Sequence, residues 1–488
     1  MKRLLTLVLA MLLLTSCAAT GKGSATTVAT TDGVQTTSAD TTPVQTEPTE
    51  VDILADLGEK NFGGRTFTIL DANDYPDMHI NMPEKEQTGD TIKDAIWQRD
   101  VTVSERYGCK IEYVQITNAT KGIETLTNDF RAGDASFDLC ISTLSGGRLA
   151  NLATQGILAN LCEIETLSLQ ENWWSRLIYE NCRVGDRMYF TTGDIAPATY
   201  DAPSCIILNR RLLSENQIET DFYQMVREGK WTVDEMIAVT KDTDQDLNHD
   251  GTMHTDHDFF GVVYDASSLV ASMMLSGCGV SFCSVKDDTI EVNLDSERTM
   301  HVAEKLTELT REIKAASQND IITKAFKNDR AIALIHCLES AKNMLRDMES
   351  DYIILPMPKY DAEQDSYRSM VSGWVDCFVG IPNNVDFAEV GFFAEALARE
   401  SYRTVRPQTY DLVFKLKGVR EEGSAEMIDL IFNTLYIDFM AIYNFGEIPA
   451  AMQQVIFKKA PFASTVANRR KLLEGTVNRF VQSWMEIE

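Results

Sequence analysis

Four residues in an acidic stretch have the spacing of a cation site. Asp246, Asn248, Asp250 and Gly251 fall at positions 1, 3, 5 and 6 of an EF-hand-type loop. Oxygens at alternate positions converge on one point, and the glycine permits a sharp turn. The twelfth position is His257, where a bidentate glutamate is usual, flanked by Asp256 and Asp258. A weak structural calcium site and a plain polar surface loop both agree with this pattern. His249, His254 and His257 lie in the same stretch, and match either a transition-metal site or a solvated loop. The other histidines are His79, His301 and His336. The chain has no Gly-x-Ser-x-Gly elbow, no His-Glu-x-x-His and no phosphate-binding glycine loop. With 73 acidic residues, carboxylate pairs are too common to identify glycosidase chemistry. Binding is therefore the better expectation than catalysis.

The N-terminus carries a separate signal. Met1-Lys2-Arg3 is basic, and Leu4 to Leu14 is an apolar run too short for a stable membrane span. It ends Leu14-Thr15-Ser16-Cys17, which resembles the lipobox of a bacterial lipoprotein signal. That resemblance implies cleavage before Cys17, lipid on its thiol and new amine, and a protein held on the extracellular face of a cell membrane. In a two-membrane bacterium that would be the periplasmic side. An ordinary signal peptide or a short anchor is the plainer alternative. Residues 18–57, rich in Thr and Ser, read as a disordered tether. Roughly forty such residues have an r.m.s. reach of about 30–40 Å.

The net charge of −28 excludes nucleic acid as a partner and weighs against polyanionic ligands. Cys17 aside, nine cysteines are scattered, so no full disulfide framework is implied, and they read as buried thiols. Cys278 and Cys283 are close enough in sequence to bridge.

From Phe62 the pattern alternates strand and helix. Arg65–Leu70 alternates as a strand, and 90–107 carries Ile92, Ala95, Ile96, Val103 and Tyr107 at helical spacing. Strand 109–114, helix 122–132 and the buried strand 137–143 follow, which argues for a parallel sheet covered by helices. Further strands are expected at 204–208, 258–264, 331–335 and 352–360. Helices are expected at 232–240, 268–275, 296–315 and 339–348, and over most of the chain after Phe387.

Several runs, in order, resemble the extracellular solute-binding proteins of ABC importers, in their carbohydrate-type class (family 1). These are Leu152-Ala153-Thr154-Gln155-Gly156-Ile157-Leu158-Ala159-Asn160-Leu161, Ile206–Leu213, Gly229–Glu235 and Ala325–Leu334. The sequence departs at Asp329, where glycine is usual, and at Arg210, where lysine is usual. The resemblance implies an α/β fold of two hinged lobes, like the periplasmic binding proteins, with a helical C-terminal region. The expected division is 58–200 with a return segment at about 376–420, and 201–375 with C-terminal helices at about 421–488. Ligand would sit between the lobes, beyond the strand ends. The candidate contacts are Asp71, Asn73, Ser142, Thr143, Asp194, Tyr200, Glu339, Ser372 and Trp374. Aromatic faces stack on sugar rings, and carboxylates and hydroxyls pair with sugar OH groups. Trp173-Trp174 reads instead as structural cover for the first lobe. The implied partners are a small carbohydrate and an ABC permease, the chain itself being a monomer. A surface glycan-degrading enzyme and a sensor or adhesion lipoprotein are the rival readings.

Overall fold

The computed structural model describes residues 52–74, 87–286, 289–294, 296–310, 318–414 and 422–486. The Cys17 anchor, the tether up to Val51 and His79 lie outside the described residues. The tether was expected to reach residue 57, and within 52–57 Asp52 and Leu54 are anchored to the fold. Leu54 is buried in the core, and Arg106 holds Asp52 at 2.7 Å.

The first sheet grows from β1 (Thr66–Asn73), α1 (Thr91–Tyr107), β2 (Lys110–Thr117), α2 (Ala119–Ala132) and β3 (Leu139–Thr143). Asp90 caps α1 by accepting from the Ile92 and Lys93 amides, and Gly108 ends it in the left-handed region. The expected apolar face of α1 is buried, together with a pair that hydropathy does not flag. Arg99 is 1% exposed and donates to Asp100, to Tyr113 Oη at 2.7 Å and to Ser401 Oγ at 3.2 Å. β1 runs parallel to β2 and to β3. α2 lies so close on β1 that a Cβ on Gly122 would stand 2.3 Å from the Ala72 Cβ. Gly122→Ala is therefore expected to cost about 1–3 kcal/mol by overpacking, read from urea denaturation. A neutral result would mean that α2 can lift off the sheet.

Next come α3 (Arg148–Thr154), α4 (Arg176–Cys182), β4 (Ser204–Asn209), α5 (Arg210–Glu215), α6 (Phe222–Arg227) and α7 (Val233–Thr240). Thr232 caps α7 through the Glu235 amide. β5 (Phe260–Tyr264), α8 (Ser268–Gly277), the hairpin β6 (Cys283–Lys286) and β7 (Thr289–Val292), α9 (Glu297–Leu309), β8 (Ala331–Cys337), α10 (Leu338–Asn343) and β9 (Tyr352–Leu355) follow. The second sheet has the order β5-β8-β4-β9. β4 is antiparallel to both neighbours, and β5 is parallel to β8. Asp329, where the resembled family has glycine, sits at φ 54°. Its carboxylate offsets that strain by accepting from Asn209 Nδ2, Arg211 Nη1 and Ser350 Oγ.

The chain then returns through β10 (Ser369–Met370) to β11 (Cys377–Gly380). β11 joins the first sheet antiparallel to β3, giving the order β11-β3-β1-β2. The parallel sheet expected from β1, β2 and β3 thus gains one antiparallel edge strand, which arrives from the other sheet. Helices α11 (Phe387–Phe414), α12 (Glu422–Asn433), α13 (Phe439–Tyr443), α14 (Ile448–Lys458) and α15 (Phe462–Glu486) complete the fold, with β12 (Leu435–Tyr436) pairing with β10. α11 packs on α1, and Phe393 stacks on Phe67 at 4.1 Å. The expectation placed all of 421–488 with the second sheet. α14 does pack on α8 and α9, but Trp484 of α15 meets Tyr189 edge-on at 4.4 Å and accepts from Arg187 through its carbonyl.

All nine cysteines after Cys17 are free, Cys278 and Cys283 included. Burial pushes the Cys109 thiol up to about 11 and the Cys140 thiol up to about 12, so these two behave as small apolar side chains. Among the described residues no helix is long and apolar enough to cross a membrane.

Candidate functional site

Among the described residues, two segments run directly from one sheet to the other. The first runs from Thr191 to Pro203, through a 3-10 turn at Pro197–Asp201. The second runs from Val371 to Asp376. They are zipped together: Thr191 and Val379 exchange backbone hydrogen bonds, the Ser372 amide donates to the Ala202 carbonyl, and Pro203 bridges Val371. Ser372 then starts a turn whose Val375 and Asp376 amides return to its own carbonyl. Trp374 projects from that turn.

Beside this turn lies a cavity of about 200 Å³. Leu144 and Gly146, just after β3, form one side, and Ser268, Leu269 and Ser272 of α8 form another. Met370, Val371, Gly373 and Trp374 supply the crossing wall, and Ile437, Ile442, Asn444 and Pro449 close it. Trp374 is 42% exposed. Among the described residues, no charged side chain lines the cavity, and besides the Trp374 indole its polar side chains are two serines and one asparagine. Ser272 Oγ donates to the Ser268 carbonyl at 2.9 Å, which leaves its lone pairs to accept. A flat aromatic wall with a few hydroxyl and amide groups suits a neutral ligand that has both an apolar face and OH groups. A charged ligand would lose its hydration without a counter-charge. A second cavity, of about 450 Å³, lies between α5, α6 and the start of β9, and no first-sheet residue lines it.

Of the nine candidate contacts, Trp374 lines the crossing cavity. Ser372 is buried behind it, and its hydroxyl accepts from the Trp374 amide. Asp71, Asn73, Ser142 and Thr143 are brought together at the carboxyl edge of the first sheet, but beneath the surface. Asn73 donates to Asp71, Ser142 Oγ donates to the Ala72 carbonyl, and Arg148 reaches Thr143 Oγ1 at 3.4 Å. Asp194 and Tyr200 are buried in the first crossing and bonded to each other, with Arg406 3.9 Å from Asp194. Burial pushes the Asp194 carboxyl up to about 7. Glu339 is half-buried at the start of α10 and accepts from Asn343. Sequence reasoning missed Ser268, Ser272 and Asn444. A signal existed for the last: Asn444 adopts φ 51° before Phe445-Gly446, a conformation asparagine tolerates at a helix end.

The acidic loop is closed by its own bonds. Asp246 accepts from the Gly251 amide at 2.7 Å, Asn248 Nδ2 donates to Asp250, and Asp250 also accepts from the Thr252 amide. Buried Asp258 accepts from the Leu247 and His254 amides. His254 stacks on His257 with ring centres 5.6 Å apart. Among the described residues no group of three or more His, Cys, Asp or Glu side chains is placed to hold a metal ion.

No protein-family model and no curated protein matches the chain. Solved structures do. The galacto-N-biose/lacto-N-biose I-binding protein of an ABC transporter from Bifidobacterium longum, in complex with lacto-N-biose, superposes with a TM-score of 0.58 at 13% identity, over 86% of this chain and 99% of that one. A cyclo/maltodextrin-binding protein complexed with maltotetraose gives 0.57 at 14% identity, over 84% and 97%. An ABC substrate-binding protein from Listeria monocytogenes, in complex with cycloalternan, gives 0.52 at 12% identity, over 85% and 99%. At these identities the likeness is one of fold. The chain has the two-lobed, periplasmic-binding-protein-like α/β fold.

Proposed function

We propose that this chain is a solute-binding protein that captures a neutral carbohydrate between its lobes and passes it unchanged to an ABC permease. The observation that carries the reading is the uncharged cavity beside the two crossings, with Trp374 as its exposed wall. Ligand held there touches both sheets' connections and favours the closed arrangement over the open one. Trp374 stacks on a sugar face, and Ser268, Ser272 and Asn444 bond its hydroxyls. The fold it shares with the sugar-complexed structures supports this reading, as does the Leu14-Thr15-Ser16-Cys17 run, which in this reading tethers the protein by lipid outside the membrane. A ligand that binds only the folded state raises the melting temperature. In a thermal-shift panel, a neutral oligosaccharide is expected to stabilise the purified protein while peptides and polyamines do not. Stabilisation by a peptide or a polyamine alone would refute the carbohydrate assignment.

A further inference from the structure

Behind the Trp374 wall, the crossings meet in a buried polar cluster. Asp376 is fully buried, two residues after Trp374. Its Oδ1 lies 2.6 Å from Thr199 Oγ1 and 3.2 Å from Thr192 Oγ1. The two threonine oxygens are 2.7 Å apart, and Thr192 Oγ1 is also 2.7 Å from the Cys377 carbonyl. Three of these contacts are short, and each hydroxyl has one proton to give. If Asp376 is ionised, two protons must serve three contacts, and one close pair of oxygens meets lone pair to lone pair. If Asp376 is protonated, the count closes. The acid donates to Thr199, Thr199 donates to Thr192, and Thr192 donates to the Cys377 carbonyl. The other carboxyl oxygen, Oδ2, is buried without a hydrogen-bond partner among the described residues. The Cys377 amide beside the carboxyl favours the charge, but burial outweighs it.

We infer that Asp376 is a positioning residue kept as a neutral carboxylic acid, whose relay through Thr199 and Thr192 holds the Trp374 turn against the first crossing. Burial acts in the same direction, pushing this carboxyl up to about 7. The neighbouring titratable groups are otherwise engaged. On the first crossing Asp194 is bonded to Tyr200, with Arg406 nearby, and Asp201 is paired with Lys342 of α10. Cys337 at the end of β8 is bonded to Ser372, and the Cys377 thiol donates to Asn73, which in turn bonds Asp71 on β1. Between its ordinary 3.8 and about 7, the folded chain keeps a proton that the unfolded chain releases. The relay's contribution is therefore whole in acid and is lost as pH rises through about 7.

This inference deepens the sugar-binding reading and rests on it only for the meaning of Trp374. Its test needs no ligand, so the two fail separately. Acrylamide quenching of Trp374, taken as the difference between the protein and Trp374→Phe, is followed from roughly pH 5 to 9. The expected result is a transition with a midpoint near 7. Asp376→Asn, whose amide can donate to Thr199 as the acid does, is expected to lose the transition and stay at the acid value. Thr199→Val breaks the relay and is expected to give the alkaline value throughout. Asp194→Asn removes the other carboxyl of the crossings pushed up to about 7 and is expected to keep the transition. A flat wild-type curve, a transition that survives in Asp376→Asn or vanishes in Asp194→Asn, or a wild-type curve from Thr199→Val would overturn the proposal. Failure of Asp376→Asn to fold would also contradict it, since the amide preserves the relay.

Discussion

Trp374→Ala is expected to weaken sugar binding by on the order of 2 kcal/mol or more, about thirtyfold in Kd. The indole is the broadest exposed face in the cavity, and the other walls are aliphatic side chains and small polar groups. Its loss removes the stacking surface and admits water where a ring would lie. The folded state should hardly notice. Trp374 is 42% exposed, and Asp376 and Ser372 hold its turn through groups that the substitution leaves intact. A calorimetric titration beside a urea melt separates the two effects. Unchanged affinity would move the binding surface away from Trp374.

Glu395→Ala is expected to cost about 3–5 kcal/mol of stability, the scale for stranding a buried charge's partners. Glu395 of α11 is 0% exposed. Four donors converge on it: Trp173 Nε1 at 2.9 Å, Trp174 Nε1 at 2.8 Å, the Ser168 amide at 3.1 Å and Arg399 Nε at 2.9 Å. Arg399 in turn lies over the Trp173 ring and donates to the Ile53 carbonyl. Alanine would leave three neutral donors and one cation without their acceptor. Glu395→Gln should fall between, because one amide oxygen replaces two carboxylate oxygens. Urea denaturation at constant slope reads the loss directly. A near-wild-type midpoint for the alanine variant would mean that water replaces the carboxylate.

Glu395 also marks where the sequence stops being readable. Trp173-Trp174 was legible as structural cover, because a paired indole in a short turn-rich stretch has to bury its area. Its acceptor lies 221 residues beyond Trp174, and no local pattern connects them. The same contrast runs through the fold. α1 and α7 announce themselves by helical spacing and by Asp90 and Thr232 at their caps, whereas α2 starts at Ala119 behind the Asn118 cap, three residues ahead of the expected start at 122. The reversed β11 does not, since strand direction depends on where the chain has come from rather than on its residues. At the site, the strand-end rule led to Asp71 and Asn73 of β1 and Ser142 of β3, two strands whose ends are buried there. Besides the Trp374 turn and the segment after β3, the walls that do reach the cavity come from α8 and from α13 and its flanks. Their apolar residues look like core until tertiary packing leaves one side of them open.

The central claim is that a neutral sugar is captured, unchanged, against Trp374. The most direct measurement is a calorimetric titration with the neutral oligosaccharide that gives the largest thermal shift, followed by recovery of the sugar from the cell. The expected result is saturable one-to-one binding, heat largely lost in Trp374→Ala, and sugar recovered intact. Binding that is confined to peptides or polyamines, or sugar recovered in cleaved form, would contradict it.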